Sequence, residues 1–416
     1  MTTQLAATAP AGEPAERRRF QLTNLDGNNN KFYLVETWPM TDGQLFFRAT
    51  YGRVGAQPQL DEKVTNVAWV ERKIREKLNK GYQEVTLHRP TIVATAATPT
   101  ATLDAKLQRL VDDIYSEAGE KIASYLAVGV DALSPDQIDR GRKLLNVAQQ
   151  QHVQWQQQQS QANFELLSST VQNYYNAVPT QLPSRIERQQ VVTDFCKAFD
   201  EQEDRLNQLE AAIATLAVAR TNPQMSRYET LGAELALLPQ NDSIYGELVD
   251  YVTRTTVHGY NVRIRDIFTV QVPDERRAFA QNSLGADHQQ LLFHGTAGHN
   301  VRHILRTGLI CPRSPSNGRM FGHGIYFANK ATKSTNYCST NTRRAPHFLF
   351  LAEVALGRQY VAKDAMPDQR KAPLLHDSVW GKAGHTSAWA GRLQYDEFIV
   401  YNNAQQTLKY LVTFDK

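Results

Sequence analysis

The spacing of apolar residues changes twice along this chain of 416 residues, and that partition constrains its fold more than any other feature. Before residue 90, FYLVET and QLFFRATYGRV are short runs rich in aromatic and β-branched residues, separated by the turn-like WPMTDG. They predict strands of a small antiparallel sheet. Val67 to Lys77 has helical spacing and stops before Gly81, so one helix packs on that sheet. From Leu103 the spacing turns helical, with Leu107, Leu110, Val111 and Ile114 on one face. Ser134-Pro135-Asp136-Gln137 forms a capping box with proline at the first helical position. A long helix is expected from Ser184 to Arg220, with Ile186, Phe195, Phe199, Leu206, Leu209 and Ile213 inward. Beyond it come QQLLFHG, GIYFAN, HFLFLAEVALG, DEFIVYN and TLKYLVTF, all strand-like, with VRHILRTG as a short helix closed by Gly308.

The expected fold class is therefore multidomain α+β: a small antiparallel-sheet domain, an all-helical bundle and a mixed, mostly-β domain. The boundaries are a disordered tail at 1–16, the sheet domain at 17–90, a linker at 91–102 (TIVATAATPTAT), helices at 103–238 and the last domain at 239–416. A run from Gln149 to Gln161, nine of whose thirteen residues are glutamine, suits a solvated helix end or loop.

At 41% hydrophobic and 21% charged the composition is that of a globular protein, with no membrane-spanning window and no secretory leader, so the expectation is an intracellular protein. Its place is the nucleus in a eukaryote, or the cytoplasm and nucleoid in a prokaryote. Cys196, Cys311 and Cys338 are far apart, which argues against a disulfide framework, and no metal is expected. Formal charge is +3 over residues 1–90, −5 over 91–232 and +6 beyond, a distribution compatible with a polyanionic partner at either end. No G-x-G-x-x-G or Walker-type loop is present, so a dinucleotide would be held some other way.

Three segments carry chemistry: LLFHGTAGHN, MFGHGIYFANKATKSTNYC and LQYDEFIVYN. Their order and spacing resemble the poly(ADP-ribose) polymerase family, whose members use NAD+ as co-substrate. The resemblance implies that Glu397, His294 and Tyr326 are catalytic, and that His294, Gly295, Thr296, Tyr326, Ser334, Tyr337 and Arg313 bind NAD+. In this reading Gly295 and Ser334 hold the nicotinamide carboxamide, Tyr326 and Tyr337 sandwich its ring, and Ser334 and Tyr337 share a helix face three residues apart. His294 meets ribose hydroxyls. Glu397 stabilises the oxocarbenium-like transition state and polarises the acceptor. Lys333, Met320 and Tyr395 match residues on the acceptor side, which favours polymer synthesis over single transfer. Cys338 reads as packing.

The resemblance continues outside this part. LSPDQIDRGRKLLNVAQQ, LSSTVQNYYNAVPTQLP and YETLGAELALL look like the family's helical regulatory domain, which implies autoinhibition relieved by DNA. NNNKFYLVE, YGRVG and KGY look like the Trp-Gly-Arg domain, with Tyr51 in place of tryptophan, and imply that Tyr51, Gly52 and Arg53 bind DNA. The implied partners are broken or nicked DNA through residues 17–90 and protein acceptors including the chain itself, with no membrane, the free protein being a monomer. Departures are equally specific. There are no zinc fingers, Arg319 stands where a tyrosine often precedes Met-Phe-Gly, and no arginine follows Gly308-Leu309, which leaves Arg313 as the substitute phosphate contact. Two other readings use the same residues: an inactive DNA-binding scaffold and an NAD glycohydrolase.

Overall fold

The computed structural model describes residues 12–41, 43–85, 104–221, 227–257, 261–282, 284, 288–312, 319–388 and 391–416. Most of the expected tail, the linker at 91–102, Leu103 and Arg313 lie outside the described residues. The chain divides into two compact units, Met1–Ile92 with Ala123–Leu216, and Val93–Ile122 with Ala217–Lys416. Both mix helices with antiparallel sheet.

The first half of the chain forms β1 (Glu16–Asn24), β2 (Asn29–Pro39), β3 (Leu45–Arg53), β4 (Gln59–Thr65), α1 (Val67–Asn79), β5 (Gln83–Val85), α2 (Ala105–Tyr125), α3 (Pro135–Gln157), α4 (Gln161–Ala177), α5 (Arg188–Lys197) and α6 (Phe199–Thr221). In the first unit the sheet order is β4-β3-β2-β1-β5, every pairing antiparallel. Alternation along the strands sends Phe20, Tyr33, Val35, Phe47 and Ala49 to one face, where Val70 and Ile74 of α1 close the core. The opposite face is tied to the helices. Thr23 N donates to Asn176 Oδ1 at 2.7 Å and Asn30 Nδ2 to Thr180 O at 3.0 Å, giving buried backbone and amide groups partners that the sheet alone does not supply.

α3 begins at the predicted capping box, with Ser134 Oγ accepting from Gln137 N and Gln137 Oε1 from Ser134 N. Much of the glutamine run forms the last turns of that helix. The long helix expected from Ser184 to Arg220 is instead two. α5 ends at Lys197, Ala198 adopts φ −118° and ψ 32°, and α6 starts at Phe199. Neither proline nor glycine marks the break. Phe195 packs edge-on against Tyr174, Tyr175 and Phe199, and this buried aromatic cluster, a tertiary effect, accompanies the interruption. The segment before α5 is not helical; Ile186 N donates to Asn28 Oδ1 at 2.9 Å.

The second half forms β6 (Glu234–Leu237), α7 (Ser243–Arg254), β7 (Arg263–Gln271), α8 (Pro273–Ala280), β8 (Gln289–Gly295), α9 (Val301–Thr307), β9 (Ile325–Phe327), α10 (Ala331–Thr335), β10 (His347–Ala355), β11 (Gln359–Val361), β12 (Ser378–Gly381), β13 (Ser387–Ala388), β14 (Gly391–Arg392), β15 (Glu397–Val400) and β16 (Gln406–Asp415). One sheet has the order β6-β7-β16-β10-β8, a second β11-β12-β15-β9, and β13 and β14 form a hairpin. β6 precedes the expected boundary at 239, yet its antiparallel pairing with β7 builds it into the first of these sheets.

A core of Phe268, Leu292, Phe348, Phe350 and Leu411 from the first sheet meets Ile325, Phe327, Phe398 and Val400 from the second. Leu107, Leu110, Val111 and Ile114 of α2 complete it, so these residues of the stripe read from the sequence face this core. The two sheets touch at one bridge, where Phe293 N donates to Ala328 O at 2.8 Å and Ala328 N to Phe293 O at 3.0 Å. The residues expected to do chemistry gather around this junction.

Candidate active site

His294 and Gly295 are the last two residues of β8, just past the bridge. Alternation turns Phe293 toward Tyr251, with rings stacked at 4.6 Å, and leaves His294 on the opposite face beside Phe327. His294 Nδ1 lies 2.9 Å from Tyr326 O. Because a carbonyl only accepts, Nδ1 carries the proton and Nε2 keeps a lone pair. Burial pushes the imidazole below its usual pKa range, partly offset by the bond to Tyr326, so the ring is neutral near pH 7. Such a group accepts from a hydroxyl.

Gly295 stands where the chain passes against Ser334, and a Cβ there would overlap the Ser334 carbonyl. Only glycine leaves this approach open. Ser334 is buried, with Oγ 3.2 Å from Phe293 O, and Thr296, next to Gly295 in sequence, is buried too. The expected shared helix face of Ser334 and Tyr337 is not what forms. α10 ends at Thr335, and Tyr337 follows in a turn whose N–H donates to Ser334 O at 3.0 Å. A five-residue helix is too short for propagation to carry it further. The Tyr337 ring is 59% exposed and forms one open wall.

Tyr326 is the central residue of β9. Its hydroxyl donates to Gly322 O at 2.8 Å and accepts from Phe321 N at 3.0 Å, which locks the ring. Burial raises its pKa, and the charges of Glu397 and Tyr337 act in the same direction; β9 pairs with β15 so that Tyr326 stands opposite Ile399, two residues on from Glu397. Glu397 opens β15 opposite Gly381 on β12. As expected for neighbours on a strand, Phe398 enters the inter-sheet core while the Glu397 carboxylate meets Lys333, with Nζ to Oε1 at 2.6 Å. Lys333 Nζ also donates to Tyr337 Oη at 3.2 Å. Burial pulls the lysine pKa down, but Glu397 and Tyr337 more than offset this and leave it raised.

On the acceptor side Met320 packs with Tyr326 against Phe321, Val379 and Ile399, and its carbonyl accepts from Met366 N at 2.6 Å. Tyr395 is half-buried, two residues ahead of Glu397. Sequence reasoning missed Asp396. Its Oδ2 accepts from Asn329 Nδ2 at 3.0 Å and its Oδ1 from Ala383 N at 2.8 Å, fixing the entry to β15. Adjacency to Glu397 was the available signal. It missed Glu275 as well, a buried carboxyl whose pKa is raised by burial and which accepts from Leu309 N at 3.0 Å and Leu408 N at 2.6 Å. That contact anchors the backbone just after α9. Cys338 is buried, its thiol pushed up to about 12 by burial, as a packing residue should be.

In the first unit Tyr51 pairs with Tyr33 across β2 and β3, with ring centroids 5.7 Å apart. Lys77 Nζ sits 4.0 Å from the Tyr33 centroid, 5.6 Å from Tyr51 and 5.5 Å from Tyr82. Burial first, then the positive charges of Lys80, Lys73 and Lys31, lowers the lysine pKa, with Glu76 acting the other way. A Cβ added at Gly52 would stand in ordinary contact with Pro58. Arg53 donates to Asn28 O at 2.9 Å and to Pro183 O at 2.8 Å, a tie to the segment ahead of α5. Its acceptors are neutral, so its charge is not cancelled.

Two segments of the chain match known families. Residues 244–416 match the family described as the poly(ADP-ribose) polymerase catalytic domain, and residues 16–88 match the WGR domain. One segment of the chain is thus similar to a poly(ADP-ribose) polymerase catalytic domain and another to a WGR domain. A poly(ADP-ribose) polymerase of Drosophila melanogaster is 30% identical over 285 residues, which is 60% of this chain and 28% of that protein. Poly(ADP-ribose) polymerase 2-B of Oryza sativa subsp. japonica is 24% identical over 436 residues, or 94% of this chain and 70% of that protein. Poly(ADP-ribose) polymerase 2 of Arabidopsis thaliana is 31% identical over 244 residues, or 51% of this chain and 38% of that protein. The chain thus spans about a quarter of the length of the fly relatives. His294, Tyr326 and Glu397 all fall inside the matched polymerase domain.

Proposed function

We propose that this chain is an NAD+-consuming ADP-ribosyltransferase, stimulated by strand breaks in DNA, that builds poly(ADP-ribose) on itself and on other proteins as part of a DNA-damage response. The single observation that carries the reading is the convergence of Glu397 and its bonded Lys333 with Tyr337, Tyr326 and His294 at the junction of the two sheets. The residues fit NAD+: an approach that only Gly295 leaves open, two tyrosines to flank a flat ring, and a neutral histidine with a free lone pair. When bound, NAD+ supplies the ADP-ribosyl group, with nicotinamide as leaving group.

The protein's part is positioning and electrostatics. Gly295 and Ser334 would hold the carboxamide, and Tyr326, fixed by the backbone of Phe321 and Gly322, would hold one face of the ring. Nε2 of His294 would accept from a ribose hydroxyl. Glu397 brings negative charge to where the ribose becomes positive, and the same carboxylate can take the proton of an acceptor hydroxyl. Lys333 keeps that carboxylate oriented. Thr296 and Arg313 belong to the same donor reading, while Met320 and Tyr395 would border the acceptor, in keeping with chain elongation.

DNA would meet the first unit, where Tyr51, Gly52, Arg53 and the lysines around the Tyr33–Tyr51–Tyr82 cage offer stacking surface and positive charge. The helices at 103–238 would restrain the site until DNA shifts the population. Among the described residues no helix is long and apolar enough to cross a membrane, and no cluster of three or more metal-ligating side chains occurs. The test is nicotinamide release by the full chain with a nicked duplex. Release with ADP-ribose bound to protein supports the transferase, free ADP-ribose alone indicates a glycohydrolase, and no release indicates a scaffold.

A further inference from the structure

α2 carries a carboxylate that belongs to none of the motifs. Glu117 is fully buried. Four neutral donors satisfy it: Oε1 accepts from Thr342 N at 2.8 Å and Thr342 Oγ1 at 2.7 Å, and Oε2 accepts from Asn341 N at 2.7 Å and Asn341 Nδ2 at 3.1 Å. Asn341 Nδ2 also lies 3.0 Å from His299 Nδ1. Gly298 presses on the same group, since a Cβ added there would stand 2.7 Å from Oε2. A buried carboxylate needs every one of these donors, because each lost bond leaves charge without compensation.

The two segments that Glu117 grips run on from the residues proposed above to hold the nicotinamide end of NAD+. One runs on from His294 and Gly295 through Gly298 and His299; the other runs on from Tyr337 through Asn341 and Thr342. They are stitched together where Gly298 N donates to Ser339 O at 2.8 Å, and Glu117 caps the stitch from above. The helix is held down independently. Leu110, Val111 and Ile114 pack with Val301, Ile304 and Leu305 of α9, so the carboxylate is delivered by a rigid element.

We infer that Glu117 is a positioning residue of the donor pocket: by holding residues 341–342 against Gly298 it sets the separation of the His294–Gly295 wall and the Tyr337 wall, and so the affinity for the nicotinamide end of NAD+. The inference rests on the transferase reading above. It assigns the stretch of α2 from Leu110 to Glu117 a supporting role at the site, distinct from restraint by the rest of the helical segment.

Two variants probe it from opposite sides. Glu117→Gln keeps the shape but turns an amide N–H₂ toward donors, and Gly298→Ala keeps the charge but displaces Oε2. With the full chain and a nicked duplex, both variants are expected to raise KM for NAD+ and the Kd for 3-aminobenzamide, a mimic of the nicotinamide ring, by about tenfold, with kcat nearly unchanged. Amide exchange should quicken at 297–300 and 338–342. Unchanged KM and benzamide affinity beside a lowered unfolding midpoint would make Glu117 merely structural and overturn the inference. Faster DNA-free turnover at unchanged KM would overturn it too, by making α2 an obstruction. A wild-type chain that neither releases nicotinamide nor binds benzamide defeats the transferase reading itself, whereas an active wild type matched by both variants defeats the Glu117 inference alone.

Discussion

His294 shows how one hydrogen bond sets a chemical role. Its Nδ1–H is held by Tyr326 O, and burial lowers its pKa below the ordinary value of about 6.5. A histidine depressed in the folded state adds stability that is present above its unfolded pKa and lost as pH falls through the folded one. The same protonation converts Nε2 from acceptor to donor. KM for NAD+ should therefore stay flat from about pH 6.5 to 8 and rise only below that window, and steady-state kinetics across pH would check it. At this scale the motif residues were legible because type and order carry the information: His-Gly, Tyr in Gly-Ile-Tyr-Phe, Glu beside Phe. Glu275 and Glu117 were not, since a carboxylate that serves backbone N–H groups far along the chain leaves no local pattern, and Asp396 was announced only by its adjacency to Glu397.

Elements were legible where their ends are chemically marked. The capping box at Ser134 and Gln137 and the apolar stripe of α2 appear as expected, because local propensity and tertiary burial agree there. Ser134→Ala should cost about 1 kcal/mol, read as a lowered unfolding midpoint with no change in benzamide affinity. The break at Ala198 and the early end of α10 were not legible. In the first, an aromatic cluster around Phe195 accompanies a helix interruption that no glycine or proline announces; in the second, a turn follows the helix and places Tyr337 at the open wall. Lys333→Met should then weaken transfer more than donor binding, because it frees the Glu397 carboxylate but leaves Tyr326 and Gly295 in place. Label incorporation falling by more than tenfold beside a near-normal benzamide Kd is the expected result.

Across the whole molecule, the change from strand-like to helical and back to strand-like spacing foretold the mixture of helices and antiparallel sheets. Long-range pairing was beyond it: β6, read with the helices, joins β7, and the helices from 123 to 216 cluster with the N-terminal sheet. No periodicity reports on a partner so distant in sequence. In the proposed function Glu397, at the sheet junction, drives transfer of ADP-ribose to protein under the control of broken DNA. The most direct test is incorporation of labelled NAD+ into the purified full chain, with and without a nicked duplex, beside Glu397→Gln on the same gel. A smear of modified protein that DNA strengthens and the variant loses is the predicted result; no label in the wild type, or equal label in both proteins, would contradict it.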